Sequence, residues 1–419
     1  MSDREIVVYV DLDATPVLVG RLWVHVRRGR ESTTFAYDRS WLKHPQRFSL
    51  DPALTIGAGA FHTEPDRPLF GAMGDSAPDR WGRALMRRAE RRRAAAAGEH
   101  PRTLFELDYL LGVDDEAREG ALRFAEQEGG PFLAPDRSRI PPLVALPRLL
   151  QAAAHVISNQ DTDDDLRLLL APGSSVGGAR PKASVRDRNG RLMLAKFPHA
   201  NDEFDVVTWE AVALTLAGQA GLPVPPWRLE RVQDQPVLVL GRFDRSAGRA
   251  RLPFLSAMSM LGARDNETRS YLEIADALRS HGAEPQRDLR DLWRRIVFSI
   301  LISNTDDHLR NHGFLRSGAT GWRLSPVYDL NPVPVDIKPR VLTTAIDLDD
   351  PTASLPLALE VAEYFDLTQD AARQVAVEVG RAVRSWRGVA DRLGIGRPEI
   401  ERMASAFEHD DLRLATGFG

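Results

Sequence analysis

The sequence predicts an α+β fold in two lobes, a smaller one built on sheet and a larger one built on helices. Three observations predict it. Alternating β-rich segments fill much of residues 1–60 and return at 182–197 and 235–240. Apolar residues recur at helical spacing through the C-terminal part, among them Ala376, Val379, Ala382, Val383 and Trp386. Between these regions a dense polar stretch, Ile302–Leu315, interrupts an amphipathic run marked by Leu289, Leu292, Ile296, Val297, Ile300 and Leu301. The 419 residues suffice for two or three domains with a large core.

Composition excludes several classes. Hydrophobic residues make up 43% and charged residues 27%, with a net charge of −4, as expected of a water-soluble globular chain and not of an evident nucleic-acid binder. No apolar run reaches the length of a membrane span, so no membrane partner is expected, and the N-terminus lacks a signal-peptide core. The absence of cysteine removes disulfide frameworks and thiolate metal sites and fits a cytoplasmic location. Of 55 basic residues only four are lysine: Lys43, Lys182, Lys196 and Lys338. In so arginine-rich a chain a lysine marks a place where a compact ammonium is useful.

In chain order, Glu5–Val10, Arg21–Val26 and Thr33–Tyr37 read as strands of a small antiparallel sheet. Asp75–Asp79 has helix-start chemistry, and Trp81–Arg93 follows as a very basic helix, with Ala94–Gly98 as a small-residue spacer. Its arginines, Arg87, Arg88, Arg91, Arg92 and Arg93, are either a solvated face or a surface for a partner or for DNA phosphates. Residues 103–125 give a helix, a turn and a short strand near Ala121–Phe124, and Gln127–Pro142 is the linker candidate. Three regions result: 1–130, a small sheet with helices; 143–243, a sheet lobe; and 244–419, a helical lobe.

The sheet lobe opens with a helix near Pro147–Ser158 and an acidic loop, Asp161–Asp165. Ala171–Lys182 is rich in glycine and small residues, which lets backbone N–H groups approach an anion. It is neither a Walker A loop nor G-x-G-x-x-G, and alone it is equally a plain hairpin or loop. Lys182–Arg186, the turn Asp187–Gly190 and Leu192–Phe197 form a hairpin. Lys196 lies in its apolar second strand and requires a counter-charge. Val206–Gly221 is a helix carrying Glu210 in an apolar run, and Gln235–Leu240 is a further strand before Gly241–Arg245.

In the polar stretch Asp306 and Asn311 have the spacing D-x-x-x-x-N, and Asp329 follows in Val327–Leu330. In protein kinases that spacing puts a carboxylate at the acceptor hydroxyl and an amide at a metal ion, with a further aspartate as the other metal ligand. A lone D-x-x-x-x-N is ordinarily a solvated turn. Here it completes an ordered series: Gly-rich loop, strand lysine, helix glutamate, connecting strand, helix, D-x-x-x-x-N, aspartate. That order is protein-kinase-like. The last segments, Leu355–Phe365, Asp370–Leu393 and Pro398–Phe407, read as packed helices of the larger lobe.

The motifs SSVGGARPKA (174–183), AKFP (195–198), Trp209-Glu210, RFDR (242–245), NTDDHLRNHGF (304–314) and SPVYDL (325–330) together resemble those of HipA-type serine/threonine kinases, the toxins of HipA/HipB toxin–antitoxin systems. The resemblance spans nearly the whole chain and implies a HipA-like bilobal kinase fold with an N-terminal HipA-like domain. It implies ATP and Mg²⁺ as cofactors, Asp306 as catalytic residue, and Asn311 and Asp329 as metal ligands. It implies a nucleotide site from Val176, Gly177, Gly178, Ala179, Lys182, Lys196, Glu210, Gly241, Arg242, Phe243, His308 and Tyr328, and autophosphorylation at Ser175 or Ser174. Asp307 beside Asp306 is unusual; only Asp306 keeps the five-residue interval to Asn311. The implied partners are a small helix-turn-helix antitoxin (HipB-like), DNA only through it, and a protein substrate such as an aminoacyl-tRNA synthetase. A small-molecule kinase and a non-catalytic corepressor are the competing functional classes.

Overall fold

The computed structural model describes residues 4–64, 67–133, 140–170, 178–318 and 320–418. They divide into two compact units, one of residues 1–201 and 230–255, the other of residues 202–229 and 256–419.

The first unit begins with a meander. Strands β1 (Arg4–Leu12), β2 (Thr15–Arg27) and β3 (Arg30–Tyr37) pair antiparallel, as their alternation predicts. Two short strands, β4 (Ala60–His62) and β5 (Leu122–Ala125), complete the sheet in the order β4-β3-β2-β1-β5. The basic helix runs from Arg80 to Ala97, four residues beyond Arg93, the end expected from sequence. Alanine is the strongest helix former, so the supposed spacer stays helical until Gly98 takes the left-handed conformation at φ +68°. The acidic loop is also partly helix, Asp163–Leu170, with three aspartates in its first turn, where the helix dipole favours them. Much of the arginine cluster is neutralised within the unit. Arg88 and Arg92 both bond Asp161, and Arg93 bonds Glu90 and Glu99.

A four-stranded sheet follows: β6 (Lys182–Arg186), β7 (Leu192–Lys196), β8 (Trp227–Val232) and β9 (Gln235–Gly241), in the order β6-β7-β9-β8. One apolar cluster joins Trp81 and Leu85 of the basic helix to Leu149 and Ala153 of the Leu146–Ile157 helix and to Ala183, Val185, Ala195, Val237 and Val239 of the sheet. The parts of the unit before and after the linker candidate therefore share a core.

The second unit is mainly helical and includes the Val206–Gln219 helix that carries Glu210. Trp209 anchors that helix. Its ring lies 6.1 Å from Trp386 and 5.9 Å from Phe407, Trp386 stacks on Phe407 at 4.5 Å, and its indole N–H donates to Glu399 at 2.7 Å. The expected long helix over 370–393 is two, Gln369–Val383 and Trp386–Arg392, and Pro398–Phe407 is likewise divided into Arg397–Arg402 and Ala404–Phe407. The Tyr271–His281 helix was missed in the sequence although Ser270 and Glu273 have the capping-box spacing; Glu273 accepts from Ser270 N–H at 2.9 Å. Among the described residues no helix is long and apolar enough to cross a membrane.

Trp386 is 2% exposed at the centre of this aromatic group. Trp386→Ala is expected to cost about 3–5 kcal/mol, read as a lowered midpoint in urea unfolding followed by circular dichroism.

Candidate active site

Two clusters contain the residues singled out by sequence, one in each unit. In the first, β6 and β7 pair so that Lys182 stands directly opposite Lys196, Ser184 opposite Leu194, and Ala183 opposite Ala195. Side chains alternate along a strand. Ala183, Val185, Met193 and Ala195 enter the apolar cluster, so Lys182, Ser184 and Lys196 share the other face. Both lysines are buried, Lys182 at 1% and Lys196 at 6% exposure. Two like charges so placed need compensation. For Lys182 it comes from Asp79, whose Oδ2 accepts from Nζ at 2.8 Å while its Oδ1 caps the basic helix through Gly82 N–H. The same Nζ donates to the Gly178 carbonyl at 3.3 Å, and the Trp81 indole donates to the Lys182 carbonyl at 3.0 Å. Lys182 thus ties the end of the Gly-rich segment to a helix start, a role visible only once residue 79 is in place. Ala179 beside it is exposed. Ser174, Ser175, Val176 and Gly177 lie outside the described residues.

The RFDR motif is a buried strut. Arg242 makes a two-point bond to Asp244, at 2.8 and 2.6 Å, and donates to the Ala117 carbonyl at 2.9 Å. Arg245 adds bonds to Asp244 at 2.7 Å and to the Arg118 carbonyl at 2.8 Å, while Gly120 N–H donates to Asp244 at 2.8 Å. Burial alone would raise the Asp244 carboxyl; Arg242 and Arg245 overcome it and hold it far below the usual carboxylate range. The Arg242 side chain is committed to this network, so residue 242 offers little but backbone to a ligand. Gly241 pairs with Met193 at the end of β9, and the Phe243 ring lies 6.2 Å from Phe254.

The second cluster is the polar stretch. The Pro285–Leu301 helix ends with Ser303 in the left-handed region at φ +52°, and the chain turns sharply. The two adjacent aspartates then part. Asp307 is 3% exposed and accepts from Tyr271 Oη at 2.5 Å and from Ser299 Oγ at 3.1 Å, with His312 Nε2 at charge-pair distance, 3.1 Å. Burial pushes its carboxyl up, but His312, Tyr271 and Ser299 outweigh that and leave it below the usual value. Asp306, by contrast, has a side chain 64% exposed. Asn311 is 5% exposed; its Nδ2 donates to the Asp306 carbonyl at 3.0 Å, and among the described residues its Oδ1 has no hydrogen-bond partner.

Three hydrogen bonds lash the segment containing Asp329 to this loop. Asn331 N–H donates to Asn304 Oδ1 at 3.0 Å, Val333 N–H to the Ser303 carbonyl at 3.2 Å, and Tyr328 Oη to the Arg310 carbonyl at 2.7 Å. Asp329 itself adopts φ +57°, a conformation aspartate tolerates better than most side chains. The segment that carries Asp329 is thus bonded to the loop that carries Asp306 and Asn311. His308, half-buried, precedes the short turn that delivers Asn311, and its carbonyl accepts from Asn311 N–H at 2.8 Å. Glu210 is 3% exposed on its helix in the same unit.

A family model, the HipA-like C-terminal domain, matches residues 174–405. The chain belongs to that family. The match spans the hairpin lysines, the polar stretch and Asp329. A putative kinase of Sinorhizobium fredii, Y4mE, is 25% identical over 403 residues, covering 88% of this chain and 82% of that protein. A putative kinase of Haemophilus influenzae is 25% identical over 198 residues, covering 42% of this chain and 56% of its own. Among solved structures, that of the Shewanella oneidensis MR-1 toxin–antitoxin complex of HipA, HipB and operator DNA matches with a TM-score of 0.68 at 15% identity, over 99% of this chain and 96% of that one. The fold is HipA-like along almost the whole chain, α+β as expected.

The sequence reading gave no individual role to Asp79, Asp244, Asn304 or Lys338, although Asp244 and Asn304 stand in quoted motifs, Asp79 in the helix-start segment, and Lys338 is one of four lysines. The split of Asp306 from Asp307 gives an energetic expectation. Asp307→Ala should lower stability by about 3–5 kcal/mol, since it leaves buried donors unpaired. Asp306→Ala should stay within about 0.5 kcal/mol of wild type. Because the folded Asp307 carboxyl is depressed, its contribution is present above the unfolded value and lost as pH falls through the folded one. The gap between wild type and Asp307→Ala, measured by urea unfolding, should therefore shrink below about pH 4.

Proposed function

We propose that the chain is an ATP- and magnesium-dependent serine/threonine protein kinase acting as the toxin of a toxin–antitoxin pair. The observation that carries this reading is the Asn311 amide: buried, oriented by its Nδ2 bond to the Asp306 carbonyl, with no donor to its Oδ1 among the described residues. A buried acceptor without a donor is costly unless a cation or another donor meets it. Asn311 Oδ1 and the Asp329 carboxylate are oxygen donors of the hard type that magnesium prefers. They would hold the metal, which when bound supplies neutralisation of phosphate charge.

The chemistry assigned to this chain's own groups is positioning and proton acceptance. Asp306 is exposed, as a base must be to reach an acceptor hydroxyl on another molecule. The acceptor oxygen bonds to the γ-phosphorus, the bond from that phosphorus to the bridging oxygen breaks, ADP leaves, and the hydroxyl proton passes to the Asp306 carboxylate. The motif resemblance assigns Lys196 and Glu210 to the nucleotide phosphates. The same resemblance assigns Gly178 and Ala179 to the nucleotide segment, where small residues let backbone approach an anion.

A HipB-like antitoxin is the proposed partner, since the HipA matched in fold was solved with HipB and operator DNA. A translation component such as an aminoacyl-tRNA synthetase is the proposed substrate, and Ser175 or Ser174 the site of self-modification; both rest on the motif resemblance.

The test is incubation with γ-labelled ATP and Mg²⁺, with mass-spectrometric mapping of phosphoserine and phosphothreonine. Label is expected on a protein hydroxyl, including 174 or 175, and chelation with EDTA should abolish it. Asp306→Ala is expected to lower kcat by about 10²–10⁴-fold while ATP affinity stays near wild type. Transfer by that variant at the wild-type rate would sink the assignment.

A further inference from the structure

Lys338, like Lys43, is a lysine that no motif claims, and it sits beside the exposed aspartate. Its Nζ stands 3.8 Å from Asp306 Oδ1 and donates to the Thr305 carbonyl at 3.4 Å. Its side chain is 40% exposed, so the ammonium is reachable from solvent. The placement is not left to a floppy loop. Ile337 and Lys338 N–H groups both donate to the Pro334 carbonyl, at 3.0 and 3.2 Å, closing a turn. Arg340, two residues on, is clamped at three points: Ser303 Oγ at 3.1 Å, the Ile300 carbonyl at 2.9 Å and Asp411 at 2.7 Å. Thr343 then returns to the Thr305 carbonyl through both N–H, at 3.1 Å, and Oγ1, at 3.0 Å. The strap from 334 to 343 is thus fastened to the residue preceding Asp306, with Lys338 at its inner edge.

We propose that Lys338 is a further catalytic cation, contacting the phosphoryl group as it passes from ATP to the acceptor. This rests on the reading of Asp306 as the residue that takes the hydroxyl proton. An acceptor oxygen must come within about 2.6–3.2 Å of that carboxylate, and the phosphorus within about 3–3.5 Å of the acceptor oxygen. An ammonium 3.8 Å from Oδ1 lies in the same small volume. A positive charge there meets the negative charge of the equatorial oxygens in a loose transition state. Lys338 stays protonated throughout; the bonds made and broken are those of phosphoryl transfer, and the proton goes to Asp306. A compact ammonium on a flexible stem suits a point charge, which explains a lysine where arginine is the habit of the chain.

The experiment compares wild type, Lys338→Met, Lys338→Arg and Asp306→Ala in steady-state transfer of labelled phosphate from MgATP, with thermal unfolding of each. The expected result for Lys338→Met is a kcat about 10²-fold lower with KM for ATP within about threefold of wild type. Lys338→Arg should recover part of the rate, and Tm should not move. The lysine assignment alone is overturned if Asp306→Ala is inactive while Lys338→Met keeps kcat within about threefold. It is also overturned if the loss appears in KM for ATP, or if it comes with a fall of several degrees in Tm, which would make Lys338 a structural tie to Thr305. If wild type transfers no phosphate, or Asp306→Ala transfers it normally, the reading of the loop fails and the lysine assignment goes with it.

Discussion

A carboxylate turned into the protein organises the polar loop. Asp307 accepts bonds from Tyr271 and Ser299 and faces His312, while its carbonyl accepts from Thr344 Oγ1 at 2.6 Å. Ser299 and His312 are near it in sequence, whereas Tyr271 and Thr344 reach it from distant parts of the chain. The neighbouring Asp306 faces solvent instead. A buried charge is costly unless every lone pair has a use, so this site tolerates few other geometries, and the loop inherits that stiffness.

The surroundings extend the same principle. Asn304, fully buried, fixes the segment after Asp329 through its Oδ1, and Arg340 fixes the following strap through all of its guanidinium nitrogens. Satisfied buried polar networks specify one arrangement better than apolar packing does. In this arginine-rich chain the guanidinium fork serves repeatedly as a strut: Arg340 below the loop, Arg242 and Arg245 around Asp244, and Arg118 across the Ser76 and Val113 carbonyls. The planar fork suits such bracing. Lysine appears where one ammonium meets a small number of oxygens, as Lys182 does with Asp79 and Gly178.

This division of labour changes the meaning of two motifs. Gly241, Arg242 and Phe243 were read as part of a nucleotide site. The charged side chains of RFDR grip residues 116–120 and brace the first unit, so what residue 242 offers a ligand is backbone. The lysine of SSVGGARPKA was read as part of the nucleotide segment. Its ammonium is spent on the cap residue of a helix about a hundred positions upstream, which holds the end of that segment in place. The motif residues frame a site without each having to touch what it binds.

The sequence by itself determined the strands and most helices, the turn at Asn189-Gly190, and the position of the polar stretch, because period, propensity and turn chemistry act within a few residues. The interval from Asp306 to Asn311 was legible for the same reason. Only the tertiary structure decided which of two adjacent aspartates faces solvent, which acid neutralises Lys182, and that Lys338 comes back to Asp306. Each of those outcomes turns on desolvation and on partners more than thirty residues distant, or, for Asp307, on Tyr271 and Thr344 as well as its neighbours. Local patterning carries no record of such encounters; they exist only when the chain has folded and water has been excluded.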